Sequence, residues 1–133
     1  MSHNSIPERD MNRTVFADIL KGIDLVCPGF EAAVFYDSEG ETIDYFSYLD
    51  PFDTRLLAAH LGVVASCAGR NIKKIKWGDI KFIEISAYDK DSITVFMGDD
   101  LFISVFVKSG YLDRAIHRKI HDVILKLKKE IDI

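Results

Sequence analysis

The chain has 133 residues and a formal net charge of −4, with a pI of about 5.5. That is one domain with room for a core, and it lacks the electrostatic footprint of a nucleic-acid binder. Hydrophobic residues make up 48% of the chain and the mean hydropathy is +0.06, which favours an oligomer with apolar contact surface, although no apolar run is long enough to span a bilayer.

Residues 1–11 read as a loose polar tail without a signal-peptide core, and residues 12–133 as a single domain. From Asn12 the pattern turns helical: Val15, Phe16, Ile19, Leu20, Ile23 and Val26 form one stripe, ended by Pro28-Gly29. Phe30 to Asp37 is dense in apolar and aromatic residues and reads as a strand inside a sheet. Asp37-Ser38-Glu39-Gly40 is a turn, with Gly40 free to take positive φ. Thr42 to Leu49 returns as a strand, placed at a sheet edge because Asp44 and Ser47 interrupt it.

Asp50 to Arg70 reads as the central helix. Asp50 caps it and Pro51 suits its first turn. Leu56, Leu57, His60, Leu61, Val63, Val64, Cys67 and Ala68 form a broad apolar face, expected to lie on the sheet. The other face carries Arg55, Ala58, Ala59, Gly62, Ala65, Ser66 and Gly69, and no charge falls between Arg55 and Arg70. A helix of this kind is covered on both sides. Arg55, Ala59, Gly62 and Ser66 are therefore expected at a contact with a second copy of the helix.

Asn71 to Gly78 reads as a basic link, with Lys73, Lys74 and Lys76. Ile80 to Tyr88 follows as a strand, with Ile83, Ile85 and Ala87 on one side and Phe82, Glu84, Ser86 and Tyr88 on the other. Ile93 to Met97 and Leu101 to Val107 are apolar on both faces and read as central strands. Leu112 to Lys129 is an amphipathic helix. The fold class is thus α/β of the α+β type: a five-stranded, antiparallel-rich sheet flanked by three helices. The order is helix-strand-strand-helix-strand-strand-strand-helix, with helices on both faces. The strand holding Ile83 and Ile85 is too apolar for a free edge and is expected to pair with its own copy.

This order, together with Gly29-Phe30-Glu31-Ala32-Ala33-Val34-Phe35-Tyr36-Asp37-Ser38-Glu39-Gly40, resembles the roadblock family, a profilin-like fold of dynein light-chain type with bacterial gliding-motility relatives. Two further stretches are similar to the family: Asp50 to Ala59, at the start of its middle helix, and Met97 to Val105, at its last hairpin. Asp44-Tyr45 and the basic link from Lys73 to Trp77 depart from its pattern. The resemblance implies a non-enzymatic homodimer whose middle helices pack together and whose third strands join into one continuous sheet. It also implies a platform for a small Ras-like GTPase, whether by stimulating hydrolysis or by docking alone.

No other group of residues outweighs a bland reading. The chain has no phosphate-cradling loop ending in Lys-Ser or Lys-Thr, so it is not itself a P-loop GTPase. His117 and His121 have metal-ligand spacing on a helix but no third ligand nearby in sequence, and a solvated face is preferred. His60 with Cys67 suggests a nucleophilic pair or the pocket of a small-ligand sensor; a hydrogen-bonded core or interface histidine is preferred. Asp37, Glu39 and Glu41 belong to a turn. Arg55 suits docking better than an arginine finger, and Lys73 and Lys74 are candidate partner contacts. The expectation is a cytoplasmic homodimer that regulates or scaffolds a small GTPase, with no enzymatic activity, cofactor or metal, and no nucleic-acid or membrane partner. The alternative is a small-ligand sensor or adaptor domain of a cytoplasmic signalling or motor complex.

Overall fold

Three short polar side chains start the three helices. Thr14 accepts from the Phe16 N–H at the head of α1 (Val15–Val26), Asp50 from those of Phe52 and Asp53 at α2 (Pro51–Lys74), and Asp113 from that of Ile116 at α3 (Arg114–Glu130). The computed structural model describes residues 6–98 and 100–132. Between the helices lie β1 (Phe30–Asp37), β2 (Thr42–Ser47), β3 (Phe82–Ser86), β4 (Lys90–Phe96) and β5 (Leu101–Lys108). The element order is the one read from the sequence. α2 is longer than expected, running through Lys74, so half of the basic link is helix.

The strands form one antiparallel sheet in the order β2-β1-β5-β4-β3. β1, β5 and β4 are interior, and β2 and β3 are the edges. At the first hairpin, the Asp37 carboxylate accepts from the Glu39 and Glu41 N–H groups, and Gly40 takes a φ of 82°. An added Cβ there would meet the Ala59 backbone at 3.2 Å, so glycine is required twice over.

α1 and α3 pack on one face of the sheet. Leu20, Ile23, Ile120, Ile124 and Leu127 meet Phe30, Ala33, Phe35, Ile103, Val105 and Val107. α2 alone covers the other face, and here the sequence expectation is reversed. The residues it turns to the sheet are the small ones, Thr54, Ala58, Gly62 and Ala65, with Leu57 and Leu61 at their margin. The cause lies in the sheet, which presents Tyr36, Tyr45, Phe102 and Phe106 on this face. Aromatic side chains fill the gap between layers, so only a small-residue stripe lets the helix backbone settle. A Cβ on Gly62 would stand 3.3 Å from the Tyr36 ring. Gly62 is therefore buried inside its own subunit and is not free for a partner helix.

The N-terminal segment is held from Glu8 onward, and residues 1–5 of the expected tail lie outside the described residues. The Glu8 N–H donates to the Ser47 carbonyl at 2.9 Å, adding backbone cover to the β2 edge. Arg9 donates to the Tyr45 carbonyl at 2.9 Å and pairs at 2.7 Å with Asp44, whose side chain is fully buried.

Candidate functional site

Turning its small residues inward leaves α2 with large apolar residues outward. Phe52 (69% exposed), Leu56, Val63 (70%) and Val64 stand in water, with His60 and Cys67 on the same outer face. Positions 52, 56, 63 and 67 share one stripe at helical spacing. Side chains at 55, 59 and 66 flank it and are half-buried. The outer face is apolar over more than three turns, and solvent-facing helices seldom are.

The second open feature is the edge strand β3. It pairs with β4 from Phe82↔Val95 to Ser86↔Asp91, and no strand among the described residues lies on its other side. Phe82 is 49% exposed, Ile85 36%, and Ile83 half-buried. The strand carries no proline or bulge to guard it. The contrast with β2 is instructive, since that edge is covered by the N-terminal segment. Ile83 and Ile85 lie on the α2 side of the sheet, as the alternation predicts.

Arg55 is already engaged. Its guanidinium holds the Asp10 carboxylate through two bonds of 2.6 Å. Two guanidinium groups stand over the Tyr45 ring, Arg9 at 5.3 Å and Arg55 at 5.5 Å from its centre. The Tyr45 hydroxyl donates to Asp10 at 2.7 Å. The Arg55 guanidinium, and then the Tyr45 hydroxyl, hold the Asp10 carboxyl well below the usual carboxylate range. Arg55 is thus a clasp for the N-terminal segment. Sequence reasoning missed it because Asp10 sat in a stretch read as tail.

His117 pairs with Glu84 of β3 and sets its ring edge-on to Phe82 at 5.4 Å, tying α3 to the edge strand. His60 and Cys67 lie open on α2, so of the core or interface places expected for His60 the core is excluded, and the residue stands on the exposed outer face. Burial pushes the Cys27 thiol up to about 11. Lys73 and Lys74 are exposed at the end of α2, with Lys73 3.4 Å from Asp79. No helix among the described residues is long and apolar enough to cross a membrane.

No protein-family model matches the sequence, and neither does any curated protein. Solved structures do match the fold. The Roadblock/LC7 domain from Streptomyces avermitilis superposes with a TM-score of 0.79 at 13% identity, over 88% of this chain and 98% of that one. Myxococcus xanthus MglB gives 0.75 at 15%, over 90% and 98%. MglC from the same organism gives 0.65 at 15%, over 88% and 99%. The chain has the roadblock fold.

Proposed function

We propose that this roadblock-fold chain is a homodimeric, non-catalytic regulator or scaffold that docks a small Ras-like GTPase. The observation that carries the reading is the apolar outer face of α2, standing beside an unguarded β3 edge. A two-fold axis beside β3 would join the two β3 edges and set the two α2 helices against each other, an isologous contact that uses both features at once. Phe52, Leu56, Val63 and Cys67 take the place of Ala59, Gly62 and Ser66 at its helix–helix centre. Ile83 and Ile85 stay at its strand seam, and Arg55 acts by fixing the N-terminal segment against α2. One solved MglB is described with a tetrameric arrangement, at a TM-score of 0.71 and 12% identity, which supports self-association. The GTPase partner rests on the resemblance around Gly29 to Gly40.

Light scattering coupled to size exclusion tests the dimer. The wild-type chain should be dimeric at micromolar concentration. Val63→Asp, which buries a charge at the seam but stands in water in a monomer, should give a monomer with an unchanged melting temperature. The Phe96 N–H to Lys81 and Ala87 N–H to Lys90 bonds put the odd-numbered backbone groups of β3 towards β4. Glu84→Pro should therefore weaken the dimer by removing a backbone donor on the free side of β3. Pull-down with nucleotide-loaded Ras-like GTPases should succeed with wild type and fail with Val63→Asp. A monomeric wild type would overturn the reading.

A further inference from the structure

The chain's charge is unevenly placed. Residues 70–81 hold five cations, Arg70, Lys73, Lys74, Lys76 and Lys81, against one acid, Asp79. In a chain of net −4, the remaining residues therefore carry −8 between them. All five cations are exposed, and only Lys73 has a carboxylate within ion-pair distance among the described residues.

Two large apolar side chains stand among them in water, Ile75 at 53% and Trp77 at 77% exposure. The backbone beneath is a fixed turn. The Trp77 N–H donates to the Ile72 carbonyl at 3.3 Å and the Lys76 N–H to the Lys73 carbonyl at 3.0 Å, which closes the helix by a Schellman motif. The residue at its left-handed position is Lys76, with φ of 62°, where glycine would be at ease. Exposed tryptophan is thus presented on a strained, hydrogen-bonded turn ringed by lysines.

We infer that this turn is a docking surface for the face of an anionic phospholipid bilayer, with Trp77 and Ile75 entering the headgroup region and the lysines meeting lipid phosphate. Tryptophan prefers that interface, with its ring in the apolar boundary and its N–H towards water. Basic clusters are drawn to anionic headgroups. Two other occupants fit less well. Protein interfaces favour arginine and are depleted in lysine, whereas four of these five cations are lysines. A single-strand nucleic-acid platform stacks successive bases on several aromatics, and this turn offers one. The expectation of no membrane partner rested on the lack of a spanning run, and contact with one bilayer face needs none.

Trp77 is the chain's sole tryptophan, so its fluorescence reads the contact directly. Vesicles of phosphatidylcholine with phosphatidylserine at 7:3 should shift its emission to the blue and co-sediment the protein, and pure phosphatidylcholine vesicles should do neither. Raised salt should weaken the effect. Each lysine neutralised should cost about fivefold in partition, so Lys73→Gln, Lys74→Gln and Lys76→Gln together should cost about a hundredfold. Trp77→Ala should co-sediment less while melting as wild type. Equal response to both vesicles, no response to either, or an unaffected triple variant would overturn the inference. So would a blue shift with polyglutamate or a single-stranded oligonucleotide and none with anionic vesicles.

Discussion

Gly62 carries two arguments that point to one substitution. Mid-helix glycine costs roughly 1 kcal/mol of propensity against alanine, so it asks for a packing reason. That reason is the Tyr36 ring, 3.3 Å from where a Cβ would stand. Gly62→Leu should therefore overpack the α2 layer and lower fold stability by about 1–3 kcal/mol, seen as a fall in melting temperature. A variant as stable as wild type would show that α2 can rise off the sheet without cost. The two cysteines separate by the same logic of burial. Cys27 is buried and its thiol is pushed up to about 11, so little thiolate exists at neutral pH. Cys67 is exposed. Because the proposed dimer covers it, Cys67 should react slowly with a disulfide reagent in the wild type and promptly in the monomeric Val63→Asp variant. Cys27 should react only on unfolding, and its prompt reaction in native buffer would contradict the packing of α1 against β1.

At the scale of elements, the N-terminal segment and β2 behave as one unit. Asp10 bonds Arg55 and Tyr45, and its folded carboxyl is held below its ordinary value of 3.8. A depressed folded value contributes stability above the ordinary value, and that contribution is lost as pH falls through the folded one. The segment should stay clasped through the ordinary carboxylate range and release only in stronger acid. Carbon-13 NMR of the Asp10 carboxyl checks this, because titration at its ordinary value would mean an open clasp. These elements also show what sequence could reveal. The Asp50 cap, the Asp37 turn and the alternation of β3 follow from local chemistry, and each is present. β2 is an edge strand, but the Asp44 and Ser47 that suggested it are buried, Asp44 against Arg9 and Ser47 against Thr54. The orientation of α2 does not follow from local chemistry. Its inward face is decided by Tyr36, Tyr45, Phe102 and Phe106, which come from three strands. A single helix read alone ranks large residues inward, and only the assembled sheet reveals that the space is already filled. Of the two coverings expected for α2, the sheet lies on the small-residue face, and the large-residue face stands open, to be covered only by the proposed second subunit.

For the whole molecule, the uneven layering matters most. Two helices share one face of a five-stranded sheet and a single helix lies on the other. α2 meets β1, β2 and β5, which leaves Ile83, Ile85 and Phe96 at the margin of its cover. The open side of the sheet and the open side of α2 therefore fall on the same side of the subunit. In the proposed dimer, they would close together, so Val63→Asp and Glu84→Pro should weaken one contact, and light scattering on the paired variant should show no second association step.

The place of β1 between β2 and β5 also sets a timetable for synthesis. β2 leaves the ribosome directly after β1, but β5 lies about 60 residues later in the chain. At translation rates of roughly 5–20 residues per second, β1 waits about 3–13 s for its second neighbour. Throughout that interval its free side offers unpaired N–H and C=O groups along Phe30 to Asp37, a stretch whose side chains are almost wholly buried once folding ends. On one polysome a chain in this half-paired state has neighbours further along in synthesis whose β5 has already emerged. The strand such a copy can supply is that β5, so the same seam that completes the monomer is the point at which one chain would lend its strand to another.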